Sequence, residues 1–255
     1  MQRKITWKSM NILVCISKTP DTTSKVSFDG SGQHYIEDGV QFIMNPYDEW
    51  YALVRALELK EQFGGQVDVI HVGPATSEMI IRKALAIGAD AAYRVDTVAK
   101  DAYFTACQIS DFAKKKNYDI LFVGKETIDH NGSEVGSFIA AMLDLPFVSY
   151  TTKLSINDRL VQATNEIEGG IEVVEVSLPI VVSAAKGLAE QRIPNMKGIM
   201  DAKKKPLEIV SAIEVNTNIE LVRFELPPNK SSVRMIDPNN INELLSVFSD
   251  DLKII

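Results

Sequence analysis

The sequence predicts an α/β chain with a mainly parallel, twisted sheet, helices on both faces, a β-rich extension and a C-terminal arm. Three observations predict it. Short continuous apolar runs, as over residues 11–16, suit strands buried on both faces, as parallel strands are. Stretches with apolar residues at helical spacing alternate with those runs, and β-α-β-α order implies a parallel sheet. After Pro146 the texture changes to short β-rich segments around a Gly169-Gly170 turn.

The elements follow in order. Residues 11–16 form the first strand, and a polar, glycine-rich stretch to about Gly39 follows. Asn45-Pro46 reads as a helix start, with Asn as N-cap and Pro at the first helical position. Tyr47, Trp50, Leu53, Val54 and Leu57 continue at helical spacing, and Gly64-Gly65 ends the helix. Residues 67–72 are a strand closed by Gly73-Pro74. Thr76 or Ser77 caps a helix that stops at Gly88. A strand over 91–95, a helix over 101–116, a strand over 119–123 and a helix from Ser133 to about Leu143 complete the alternation. Tyr103, Phe104, Ile109 and Phe112 mark the apolar side of the helix over 101–116. Strands over 147–155, 159–166, 171–177 and 179–184 make the extension. A polar, basic loop begins near Gly187. Asp237-Pro238 reads as the N-cap and first turn of a last helix carrying Ile241, Leu244, Leu245 and Phe248. The chain thus divides into an extension over 1–9, a nucleotide-binding α/β domain over 10–210 and an arm over 211–255. An arm of this length either wraps a partner or docks loosely on its own domain.

Composition excludes several function classes. A net charge of −7 argues against a general nucleic-acid binder. No apolar run reaches the ~18 residues of a membrane span. Cys15 and Cys107 match no metal, haem or redox spacing, and two cysteines make no disulfide framework, which points to a reducing compartment. His34, His71 and His130 fall in different elements without metal-ligand spacing. There is no G-x-G-x-x-G fingerprint, no P-loop and no nucleophile elbow. Cys15 has no designated base. The chain reads as a binder and not as an enzyme with its own nucleophile.

In an open parallel sheet, ligands bind beyond the carboxyl ends of the strands. Those ends are Cys15-Ile16-Ser17, Val72-Gly73-Pro74 and Gly124-Lys125. The last opens the run Gly124-Lys125-Glu126-Thr127-Ile128-Asp129-His130-Asn131-Gly132-Ser133-Glu134-Val135-Gly136. Its glycines let backbone approach a ligand closely. Asn131, Gly132 and Ser133 precede a helix start, where free N–H groups and the dipole favour a phosphate. Asp129 suits a ribose hydroxyl. The same residues also fit a plain strand-to-helix turn with Ser133 as cap. Further on, Arg192, Pro194, Met196, Lys203, Lys204 and Lys205 combine positive charge with an apolar centre. Charge steers an encounter and an apolar anchor holds it, although a solvated loop has the same composition.

From about Met10 to at least Glu208 these segments resemble the electron transfer flavoprotein beta subunit family. Met44-Asn45-Pro46-Tyr47-Asp48-Glu49 resembles the family's Met-Asn-Pro helix start. Gly73-Pro74 with Ala84-Leu-Ala-Ile-Gly-Ala-Asp90 resembles its second β-α unit. Gly124-Lys125 with Ile128-Asp129 resembles its nucleotide loop. Glu168-Gly-Gly-Ile-Glu172 with Leu178-Pro-Ile-Val-Val182 resembles its signature. Arg192-Ile-Pro-Asn-Met196 with Ala202-Lys-Lys-Lys205 resembles its partner-recognition loop.

The resemblance implies the α/β fold of adenine-nucleotide-binding relatives (adenine nucleotide alpha hydrolase-like, Rossmann-like). It implies a heterodimer with an alpha subunit that holds most of the redox FAD, while this subunit holds a structural AMP. Position by position, AMP would meet Cys15, Asn45, Pro46, Tyr47, Asp48, Val72 and the loop residues from Gly124 to Val135, with Tyr47 also near the FAD. Met196 stands where the family places an apolar anchor, often leucine, that docks into dehydrogenases. The arm would embrace the alpha subunit. Electrons would come from flavin dehydrogenases, such as the acyl-CoA dehydrogenases of fatty acid beta-oxidation. They would leave to the electron transfer flavoprotein–quinone oxidoreductase, in the cytoplasm of a bacterium or the mitochondrial matrix of a eukaryote.

There are departures. Asn165 stands where the signature usually carries a basic residue. The loop over 129–136 has neither the Asn-x-Thr-Gly ending of AMP-binding members nor the Asp-Gly-Asp-Thr-Ala-Gln-Val-Gly pattern of bifurcating members, which hold a second FAD there. Only its Val-Gly survives, and the lost Asp-Thr-Ala-Gln core favours AMP. Two alternatives stand beside the carrier. One is a subunit of an NADH-dependent bifurcating complex; the other is a stand-alone nucleotide-binding signalling protein. The long arm and the Met196 loop argue against the latter.

Overall fold

The structure is a computed structural model that describes residues 9–217, 219–230 and 232–254. The extension expected over 1–9 lies, apart from Ser9, outside the described residues.

In chain order the elements are β1 (Met10–Cys15), β2 (Lys18–Pro20), β3 (Phe42–Met44), α1 (Asp48–Phe63), β4 (Gly65–Val72) and α2 (Glu78–Ile87). Then come β5 (Ala91–Val95), α3 (Ala102–Lys114), β6 (Ile120–Gly124), α4 (Val135–Leu143), β7 (Phe147–Asn157) and β8 (Leu160–Ile167). The chain continues through β9 (Gly170–Ser177), β10 (Ile180–Ala184), α5 (Met196–Ala202), β11 (Leu207–Val210) and α6 (Ile241–Ser246). Among the described residues nine strands form one sheet, in the order β11-β5-β4-β1-β6-β10-β7-β8-β9. Pairing is parallel from β11 to β7, and β7-β8-β9 is an antiparallel meander at one edge. The expected α/β class, with a mainly parallel sheet and a β-rich extension, is what the chain adopts.

Strand period explains the two-sided core. Alternate residues of β1 point to opposite faces. Ile12 and Val14 pack with Leu53 and Ala56 of α1 and with Ile81 and Leu85 of α2. Leu13 and Cys15 pack with Phe104 and Phe112 of α3 and with Ile139 of α4. Each large apolar side chain so enclosed contributes ~1.5–3 kcal/mol of transfer free energy, which is why these runs read clearly in the sequence.

Three boundaries differ from expectation. Helix α1 begins at Asp48, after Tyr47 at φ 66°, so Asn45-Pro46 is not its cap and first turn. The Asn45 side chain is committed to a distant loop instead. Helix α6 is capped by Asn240, whose side chain accepts from Glu243 N–H at 3.4 Å, while Asp237 closes a turn onto Asn239 N–H at 2.9 Å. Both Asx-Pro pairs therefore stop short of their helices. Finally, α5 and β11 lie in the stretch expected to be loop. Each is short, and α5 buries only Ala202, so neither carries a readable apolar period.

The described chain divides into two compact units. The first holds residues up to Val26 together with Ile36–Leu221. It includes Ile213, whose N–H and C=O both bond the Gln108 carboxamide (2.9 and 2.8 Å). The second unit comprises Ser27–Tyr35 with Val222–Ile255. Within it Phe28 stacks on Phe224 with ring centres 4.8 Å apart, and Arg234 pairs with Asp251 at 2.8 Å.

Candidate functional site

The strand order reverses between β1 and β6. From β1 the chain crosses through α1 to β4 on one side; from β6 it crosses through α4 toward β10 and β7 on the other. Helices α1 and α4 pack on opposite faces, so the carboxyl ends of β1 and β6 open into a crevice, the place where such sheets bind ligands.

Two buried polar residues shape this crevice. Asn45 has no exposed surface. Its amide nitrogen donates to Glu126 C=O at 3.0 Å and its oxygen accepts from Ile128 N–H at 3.0 Å, while its backbone N–H donates to Ser17 C=O at 2.9 Å. One residue thereby ties the exit of β1, through its backbone, to the exit of β6, through its side chain. Glu49, in the first turn of α1, is 4% exposed. Its two oxygens accept from Ser17 N–H (2.6 Å) and Ser17 Oγ–H (2.7 Å). Burial raises its carboxyl to about 8, against the pull of the Ser17 hydrogen bonds; Asp129 and Asp48 raise it further. Asp48 is also raised, chiefly by burial, with Lys125 and the Glu126 N–H opposing.

Gly124 lets the end of β6 approach the first turn of α1. A Cβ there would lie 2.7 Å from Glu49 Cγ and 3.2 Å from Glu49 N. Beyond it Lys125 pairs with Glu126 at 2.9 Å, and Glu126 also accepts from Ser133 Oγ–H at 3.3 Å. The loop turns through Asn131 (φ 49°) and Ser133 (φ 55°), with Asn131 N–H on Thr127 C=O at 2.9 Å. Ser133 does not cap α4, which starts at Val135 behind Glu134. Phe138 N–H reaches Glu134 C=O at 3.2 Å, so the amides of Val135, Gly136 and Ser137 precede the first helical hydrogen bond and have no acceptor within the helix. A Cβ on Gly132 would meet nothing within 4 Å, so the loop has room above it. Free amides at the start of a nine-residue helix, open space and a nearby Lys125 fit the phosphate end of a nucleotide.

The remaining nucleotide candidates divide by burial. Tyr47, Asp129, His130 and Asn131 border the open side, His130 lying 4.0 Å from Asp129. Pro46 joins Asn45 to Tyr47. The Cys15 and Val72 side chains point into the core beneath α3 and α4, so they offer backbone at the crevice and not side chains. Burial pushes the Cys15 thiol far above its ordinary range, which removes it as a nucleophile. Sequence reasoning missed Arg94. This 2%-exposed side chain donates to Gly73 C=O (2.9 Å) and pairs with Asp96 (2.5 Å), fixing the turn after β4. A lone Arg inside an apolar strand was the available signal.

The basic segment lies on α1 and α2. Arg192 makes a two-nitrogen pair with Glu61 (2.5 and 2.9 Å), and its C=O accepts from the Trp50 indole at 3.2 Å. Met196 opens α5 and is 75% exposed. Lys203 and Lys204 are exposed. Lys205 differs: its ammonium donates to Leu85 C=O (2.9 Å) and Ala89 C=O (2.5 Å), capping the end of α2, and burial lowers its pKa.

Among the described residues no group of His, Cys, Asp and Glu is placed to hold a metal, and no helix is long and apolar enough to cross a membrane. A family model described as the electron transfer flavoprotein domain matches residues 33–215. The electron transfer flavoprotein subunit beta of Bacillus subtilis is 34% identical, covering 96% of this chain and all of the relative. That of Thermoanaerobacterium thermosaccharolyticum is 40% identical over 82% of each chain. The caffeyl-CoA reductase-Etf complex subunit CarD of Acetobacterium woodii is 33% identical over 96% of this chain and 98% of its own.

Proposed function

The chain belongs to the electron transfer flavoprotein beta subunit family, and on that premise we propose that it is the non-catalytic half of a heterodimeric electron carrier. In this reading it pairs with an alpha subunit that holds most of the FAD, and FAD, when bound, supplies the redox chemistry. The β1–β6 crevice holds AMP as a structural ligand. The amides at the start of α4 and Lys125 take the phosphate, Asp129 takes the ribose, and Asn45 keeps the loop in register. Tyr47 borders the FAD side. The arm packs on the alpha subunit. Flavin dehydrogenases, such as acyl-CoA dehydrogenases, dock at Met196 with Arg192, Pro194, Lys203 and Lys204 around it, and a quinone oxidoreductase takes the electrons onward.

The carrying observation is the Asn45 bridge: a buried carboxamide spends both its groups on shaping an open loop ahead of a helix N-terminus. Such an investment of polar groups fits a ligand loop better than a passive turn. A second reading has one supporting observation, the full-length similarity to the CarD subunit. In it the crevice holds a second FAD and the complex works with NADH. The test is a nucleotide count on the denatured complex purified with its alpha subunit. One FAD and one AMP per heterodimer support the carrier; two FAD and no AMP replace it with the second reading.

A further inference from the structure

The anchor at Met196 stands beside a groove between α2 and α5. Ala86 and Ala202 form its floor, and Met79, Pro194 and Ile199 form its walls. Arg82, Lys83 and Lys203 complete the lining, and no described residue that lines it is acidic. Met79, in the first turn of α2, is 71% exposed. The groove is rigidly built. Arg82 Nη1 donates to both Ala202 C=O and Lys205 C=O at 2.8 Å. Gly198 approaches α2 so closely that a Cβ would stand 2.5 Å from Ala86 C=O. Together with the Lys205 cap, these contacts fix α5 on α2, so an incoming group meets a preformed site and little ordering is needed.

Apolar walls under a rim of cations, on a chain of net charge −7, select one kind of visitor. A bare apolar surface would not use the cations, and a free anion would not use the walls. We propose that this groove is a socket that receives an apolar side chain flanked by carboxylates, presented by the dehydrogenase that reduces the complex. The socket rests on the docking reading of Met196 and extends it: contact is reciprocal, an anchor going out and a side chain coming in. Ile193, Met196 and Met200, on the same segment as the lining residues Pro194 and Ile199, are exposed apolar side chains. Met79 enters the interface although it lies on α2, far from the docking segment in sequence.

The test uses the heterodimer and a flavin dehydrogenase from the same genome that reduces it. Met79→Glu places a carboxylate at the mouth, where it repels the partner's acids. It should raise the KM for the heterodimer by about tenfold, with kcat and flavin content unchanged. Met79→Leu should restore the wild-type KM. If Met196→Ala raises KM and Met79→Glu does not, the socket is wrong while the docking reading stands. If neither raises it, the docking reading falls and the socket with it. If wild-type heterodimers self-associate in sedimentation and Met79→Glu separates them, the occupant is a second copy and the proposal is overturned.

Discussion

The carboxamide of Asn45 accepts a hydrogen bond from Ile128 N–H across 83 residues of chain, at 3.0 Å, with no water-exposed surface on Asn45. The same side chain holds Glu126 C=O, so the loop after β6 is shaped by the segment that leads into α1.

Asn45→Ala removes both bonds and takes from the partly buried Ile128 N–H and Glu126 C=O their Asn45 partner. The expected loss is ~2–4 kcal/mol, together with release of AMP during purification of the heterodimer. Thermal unfolding and nucleotide content check it. Wild-type values of both would show that the bridge neither stabilises the fold nor shapes the site.

Glu49 makes stability depend on pH. Its folded-state pKa, about 8, lies above the ordinary 4.5, so from pH 4.5 to 8 the native state keeps a proton that the unfolded chain has lost. Stability from this group is therefore greatest below pH 4.5 and falls as pH rises through the window. Glu49→Gln keeps the shape without the charge: its oxygen accepts from Ser17 N–H, and its amide nitrogen donates to Ser17 Oγ once that hydroxyl has turned. It should be more stable than wild type by up to ~3 kcal/mol at pH 7, the gap closing toward pH 5. Parallel melting curves at pH 5 and 8 would refute this.

Gly124→Ala forces a methyl group against Glu49 Cγ at 2.7 Å and Asp48 Cβ at 3.3 Å. Parting α1 from the end of β6 should cost ~1–3 kcal/mol and lower AMP retention. Gly132→Ala, in open space, is the control and should retain AMP. Equal behaviour of the two variants in nucleotide content would sink the argument.

The docking segment separates into contact and support. Met196→Ala should slow reduction by a cognate dehydrogenase roughly tenfold without loss of flavin. Lys204→Met should flatten the salt dependence of that rate and leave the melting temperature alone. Lys205→Met should lower the melting temperature by removing two hydrogen bonds from the end of α2. Stopped-flow reduction at several ionic strengths, with melting curves beside it, distinguishes these roles.

The strands that were legible are those whose burial is local in origin. The runs at β1, β4, β5 and β6 are apolar because both faces are covered, and the β7–β10 segments announce themselves by β-rich texture and a glycine turn. Two short elements, α5 with only Ala202 buried and the four-residue β11, left no period to read. The Asx-Pro pairs misled because a capping side chain and a bridging side chain use the same carboxamide or carboxylate. Only the position of the acceptor or donor tells them apart.

The sequence by itself determined the alternation of strand and helix and the membership of a family. The tertiary structure alone decided what individual polar side chains do. Burial against α1 and β6 raises the Glu49 carboxyl above its ordinary range, and Lys205 is a cap because its segment lies over α2. Desolvation and hydrogen-bond partnership are set by neighbours in space. For Asn45 and Lys205 those neighbours are 81 to 120 residues away along the chain, beyond the reach of any local pattern.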